Sequence, residues 1–89
     1  MEVSFSKSFK KAFKKRLSSN TLENEFWNRL ELFTIDPFDP KLKTHKLSGK
    51  LKGLWSFSLE YNIRIVFFFT TDKPKKAVLV DIGTHEEVY

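Results

Sequence analysis

Residues 54–69 read LWSFSLEYNIRIVFFF. Trp55, Phe57, Leu59 and Tyr61 alternate with Ser56, Ser58, Glu60 and Asn62. Ile63, Ile65, Phe67 and Phe69 then share one parity, and Arg64, Val66 and Phe68 the other. A period of two is the pattern of strands, whose successive side chains point to opposite faces of a sheet. The two segments predict a hairpin. With a three-residue loop at Tyr61 to Ile63, Leu59 pairs with Ile65 and Phe57 with Phe67, all toward a core. Ser58, Glu60 and Arg64 then fall on the opposite face. A two-residue loop would mix these sets and bury Arg64 among aromatics. The sheet is therefore expected to have one apolar face and a second face that carries Arg64.

Upstream the period is that of helices. EVSF (2–5) reads as a short strand. SKSFKKAFKKRL (6–17) is helical: Phe5, Phe9, Phe13 and Leu17 recur every four residues as one stripe, with lysines on the other face. Ser6 is the N-cap expected there. After the break LSSN, Asn20 followed by Glu23 has the form of a capping box. Leu22, Phe26, Leu30 and Phe33 make a second stripe, ended by DPFDP (36–40), because Pro37 disfavours helix at Asp36. TTDKPKK (70–76) is a turn with Pro74. AVLVDI (77–82) is hydrophobic enough for the middle of a sheet. Gly83 is expected to break that strand before the polar tail THEEVY. Strand, helix, helix and three or four strands make an α+β chain, with the helical hairpin packed on the sheet. Its 89 residues argue for one domain, 1–89.

There is no Cys, so neither a disulfide nor a thiolate metal site is available. No run of about 18 apolar residues predicts a membrane helix, and MEVSFSKSFKK lacks the order of a signal peptide. A cytoplasmic protein without a membrane partner is expected. The net charge is +5 and unevenly spread. Residues 7–16 hold six Lys/Arg and residues 41–52 five Lys, with no acid in either block. Two such blocks suit a polyanionic partner, and they equally suit a solvated surface.

Three scattered glycines form no nucleotide-binding fingerprint, so no cofactor is expected. Two histidines forty residues apart predict no metal site. THKLSGKLKGLW (44–55) places His45 before a turn with Lys46, Lys50 and Lys52, where Gly49 and Gly53 are free to take backbone angles other residues avoid. Two readings of Arg64 stand: a structural pair with Glu60, or a cation that faces a cleft and binds phosphate. His85 and Tyr89 follow the last strand. Together these groups contain the parts for metal-free RNA cleavage. A histidine, with a reference pKa near ~6.5, serves as base toward the 2′-OH or as acid toward the leaving 5′-oxygen. Lysine and arginine stabilise the phosphorane, and a tyrosine ring stacks on a base for about 1–3 kcal/mol.

HKLSGKLKG (45–53), YNIRIVFFF (61–69) and VDIGTHEEVY (80–89) resemble the RelE/ParE superfamily of type II toxins, closest to the YafQ-like and RelE/StbE-type members. The resemblance covers nearly the whole chain. It implies a RelE-like microbial RNase fold, two helices on a small twisted, mainly antiparallel sheet. It also implies metal-free, ribosome-dependent mRNA cleavage in the A site, a cognate antitoxin that blocks the active face, and operator DNA contacted only through the antitoxin complex. His45 matches the histidine opening the YafQ-type motif, and Arg64 matches the strand arginine of RelE-type toxins. His85 matches the late YafQ-like histidine and Tyr89 the following aromatic. Lys46, Lys50 and Lys52 would bind RNA phosphate. Where YafQ-like toxins carry a strand histidine this chain has Ser58, and where they carry Asp-Trp it has Asn62 and Ile63. A ParE-like toxin that inhibits gyrase without RNase activity, and a nontoxic basic nucleic-acid-binding module, are the alternatives.

Overall fold

Helix α1 (Lys7–Arg16) starts where Ser6 leaves extended backbone and its hydroxyl accepts the Phe9 amide at 3.0 Å. Helix α2 (Asn20–Ile35) starts one residue earlier than expected: Ser19 is the cap, its Oγ accepting from Leu22 N at 3.3 Å. Ser19 holds the extended backbone an N-cap needs, which leaves Asn20 inside the helix and removes the capping box proposed with Glu23. The helix ends at Ile35, ahead of Pro37. The structure is a computed structural model that describes residues 1–60 and 62–88. Tyr61 and Tyr89 lie outside the described residues, as does the side chain of Asn20.

The strands are β1 (Glu2–Phe5), β2 (His45–Lys46), β3 (Trp55–Ser58), β4 (Ile63–Phe69) and β5 (Lys76–Thr84). They form one sheet in the order β1-β5-β4-β3-β2, with β1 parallel to β5 and every other neighbour antiparallel. The mainly antiparallel α+β architecture holds, and β5 is an interior strand, between β1 and β4, as its composition suggested. A third helix, α3 (His85–Val88), follows β5 directly.

The hairpin register differs from expectation by two residues. Phe57 pairs with Ile65 and Ser58 with Arg64, and Leu59 N donates to Ile63 O at 2.9 Å. The chain reverses within 60–63, where Ile63 N reaches Glu60 O at 3.3 Å. A slip of two keeps every side chain on its face. Phe57, Leu59, Ile65 and Phe67 are therefore fully buried in the core, as the parity required.

Aromatic packing joins the helices to this face. The Phe33 ring stacks on Phe57 at 4.9 Å and meets Phe67 edge-on at 5.0 Å. Phe26 lies 5.7 Å from Phe9 and 5.3 Å from Phe13, which clamps α1 to α2. Between Val66 and Phe67 the β4–β5 ladder shifts register, so that Val66 faces Asp81 while Phe67 faces Leu79. The surplus Val80 carbonyl accepts from Ser8 Oγ at 2.7 Å, and the Ile82 amide is taken by the Asp81 carboxylate at 2.8 Å. Side chains thus bond two backbone groups at the bulge, an irregularity of the kind that sharpens local strand twist.

Phe33→Ala removes the ring wedged between two strands and is expected to cost about 3–5 kcal/mol. A urea denaturation series checks this, with Phe33→Leu expected to lose markedly less.

Candidate functional site

Residues paired across a sheet share a face. On the face away from α1 and α2, one transverse row runs His45, Ser56, Val66, Asp81 and the next runs Ser58, Arg64, Gly83. His45 and Arg64 therefore share the second face, in adjacent rows. Arg64 is half-buried. Its Nη1 donates to the carbonyls of Glu60 at 3.1 Å and Ile63 at 3.2 Å. It lines a cleft of about 260 Å³ with Ser58, Leu59, Glu60 and three further cations, Arg29, Lys41 and Lys43.

His85 is exposed at the start of α3, and its amide donates to Asn62 O at 2.9 Å. Asn62 lies two residues before Arg64, so His85 and Arg64 occupy the same end of the sheet. Gly83 does not break the strand. It stays in β5 opposite Arg64, and a Cβ there would stand 3.0 Å from Val88 Cγ2. The missing side chain is what lets α3 fold back over the sheet.

Helix α3 is tied down by Thr84 and Glu87. Glu87 N donates to Thr84 Oγ1 at 3.2 Å, and Thr84 N donates to Glu87 Oε1 at 2.7 Å, the reciprocal pair of a capping box. Arg16, at the end of α1, donates through Nη1 and Nη2 to the two oxygens of Glu87, both at 2.9 Å. The Thr84 amide first, and then Arg16, hold the Glu87 carboxyl below its usual range against a small opposing effect of burial. Thr84 and Glu87 stand at capping-box spacing, so this arrangement was readable in THEEVY; the partner Arg16, from the other end of the chain, was not.

His45 is exposed on the edge strand β2, with Nδ1 2.9 Å from Lys43 O. Since a carbonyl only accepts, Nδ1 is the protonated nitrogen. Two strands separate β2 from β5, which puts His45 about 14 Å across the sheet from the strand leading to His85. Lys46 turns to the other face of β2, its Nζ 5.5 Å from the centroid of Trp55. Lys46 and Lys52 line a separate cleft of about 440 Å³ with Gly49 and Gly53, both at positive φ (64° and 94°). Lys50 is exposed on the 3-10 turn Gly49–Leu51 beside it. Lys46 and Lys52 thus line a different cleft from Arg64. Tyr89 lies outside the described residues. No group of three His, Cys, Asp or Glu side chains among the described residues is placed to hold a metal ion. No described helix is long and apolar enough to cross a membrane.

The model of the YafQ family, bacterial toxins of type II toxin–antitoxin systems, matches residues 1–89. The chain belongs to the YafQ family. It is accordingly the toxin component of a type II toxin–antitoxin system. Solved structures agree with this YafQ-family toxin in fold. A YafQ mutant from E. coli matches with a TM-score of 0.77 at 18% identity, over 99% of this chain and 97% of that one. The YoeB/ParE toxin from Agrobacterium tumefaciens matches with a TM-score of 0.75 at 15% identity, over 96% and 99%. A copper-bound mutant toxin from Helicobacter pylori matches at 27% identity with a TM-score of 0.69, over 100% and 99%. E. coli YafQ is also seen in a toxin–antitoxin complex with DinJ, at 18% identity and a TM-score of 0.66, over 99% and 96%. No curated protein sequence matches the chain.

The tether of α3 is expected to depend on pH. The folded pKa of Glu87 lies below its unfolded value, so the tether is complete above the ordinary glutamate range and is lost as pH falls through the folded value. Hydrogen exchange at the Thr84 and Glu87 amides checks this. Protection there should fall on acidification, and in Glu87→Gln at neutral pH, while protection at Ile65 and Leu79 persists.

Proposed function

We propose that this toxin is a ribosome-dependent, metal-independent mRNA endoribonuclease that acts on mRNA in the A site. The observation that carries this reading is the placement of Arg64 and His85 at one end of the second face. Arg64 pairs with Gly83, and the His85 amide bonds to Asn62 across the same turn. A cation and an imidazole at one end of the sheet supply two of the groups that 2′-OH attack on a phosphodiester needs. The 2′-oxygen attacks phosphorus, a base removes its proton, and an acid protonates the departing 5′-oxygen. Arg64 stabilises the charge that builds on the phosphorane. The products are a 2′,3′-cyclic phosphate and a 5′-hydroxyl. His85 is the acid or base beside Arg64. His45, across the sheet, is the second proton-transfer candidate, with Lys46, Lys50 and Lys52 guiding RNA along that edge. Tyr89 would stack on a base.

The E. coli DinJ–YafQ complex supports a cognate antitoxin as the partner that silences the toxin, operator DNA being met only through that complex. Cytoplasmic action on ribosomes follows from this reading. The ParE-like alternative is not favoured, since the family matched over the whole chain is YafQ.

Expression without antitoxin tests the reading. Wild type should arrest growth and cut mRNA, and His85→Ala should lower cleavage by about 10²–10⁴-fold with an unchanged melting temperature. Equal arrest and equal cleavage by both would remove His85 from the chemistry. Arrest with intact mRNA and double-strand DNA breaks would return the gyrase reading.

A further inference from the structure

The cleft at Arg64 carries more positive charge than one phosphorane needs. Arg29, Lys41, Lys43 and Arg64 line it, and the one carboxylate among its lining residues is Glu60. These cations come from three parts of the chain: α2, the segment before β2, and β4. Their assembly is built rather than incidental. Arg29 Nη1 donates to Lys41 O at 2.6 Å, and its Nε is held by Glu25 at 2.9 Å. Asp39 caps the 3-10 turn Pro40–Leu42, accepting from Lys41 N at 2.9 Å. Leu42 between the two lysines is fully buried, which points Lys41 and Lys43 outward.

Lys43 is the only described non-glycine residue at positive φ, 51°. Left-handed backbone disfavours a side chain with a Cβ, by roughly 1–2 kcal/mol. Nothing in the turn requires lysine there, and Asn or Gly would meet its backbone need more easily. The conformation is fixed by Lys43 N donating to Pro40 O at 3.3 Å and by His45 Nδ1 on Lys43 O. Lys43 lines the same cleft as Ser58, and Ser58 lies in the row of Arg64 and Gly83. That row ends beside the turn that receives His85.

Resting on the ribonuclease reading, we propose that Lys41 and Lys43, with Arg29 behind them, form a second phosphate seat. It holds the RNA phosphodiester next to the one cleaved at Arg64. His45 is in this arrangement a positioning residue, keeping the Lys43 backbone in its turn. Ser58 lines the same cleft, where its small side chain takes little of the room between the lysines and Arg64.

The test uses the whole toxin and an oligoribonucleotide made uncleavable by 2′-O-methylation. The variant Lys41→Gln/Lys43→Asn removes both exposed charges, and asparagine tolerates the left-handed backbone. Binding should weaken about tenfold, and the slope of log K against log salt should shrink by about 0.7, one single-strand phosphate contact. Lys10→Gln/Lys14→Gln, on α1, should leave both unchanged, and all variants should keep the wild-type melting temperature. Equal affinity and slope in the cleft variant and wild type overturn the seat, as does a wild type that does not bind the oligonucleotide at low salt. So does a cleft variant that binds RNA normally and loses only its antitoxin, which would give the cleft to a partner's carboxylate. His85→Gln separates the two readings: it should bind the oligonucleotide like wild type and not cut unmodified mRNA on ribosomes. If it cuts as fast as wild type, the ribonuclease assignment of His85 fails while the seat is judged on binding alone.

Discussion

The ladder between β4 and β5 sets the geometry of everything at the functional end of this toxin. It places Arg64 against Gly83, and through the Asn62 carbonyl it fixes where His85 begins. The ladder is not regular. A surplus residue at Val80 shifts its register, and two backbone groups there are bonded by Ser8 and Asp81. These two bonds tie the irregular stretch of β5 to Ser8 and to its own side chain. Helix α1 is thereby fastened to the strand whose far end carries the histidine.

The second constraint is aromatic. Phe33 of α2 sits on Phe57 and Phe67 of the sheet, and Phe26 sits between Phe9 and Phe13, so α2 reaches the sheet and α1 reaches α2 through aromatic rings. Dense rings suit a chain of 89 residues, which has little area with which to offset the entropy of ordering. They also leave the second face free of helices, apart from the short α3 laid over Gly83.

Much of this was legible in the sequence, because periodicity is a local property. The alternation in 54–69 gave both strands and their faces, and the four-residue spacing of phenylalanines gave α1 and α2. The errors came where a neighbour's identity mattered. The hairpin slipped by two, a change that parity cannot detect. Gly83 looked like a strand breaker because glycine often is; its role appears only once Val88 is seen packed against it. Helix α3 was missed, although Thr84 and Glu87 stood at capping distance. At the site, His85, Arg64 and His45 were singled out from residue type. Arg29, Lys41 and Lys43 were not, because only the edge of the sheet brings an arginine of α2 beside them. Periodicity and spacing within 45–53 likewise gave no sign that Lys46 and Lys52 open onto a different cleft from Arg64.

The strand that joins β1 to the rest of the sheet is β5, which follows all the others in the chain. Glu2 pairs with Lys76 and Phe5 with Leu79, partners more than seventy positions apart, and β4 closes on the same strand from the other side. During synthesis, neither β1 nor β4 has its principal neighbour until residues 76–84 have emerged. A chain interrupted before that point lacks the strand that joins β1 to β4, and with it the residues of α3. Topology thus makes the sheet of this toxin wait on residues 76–84.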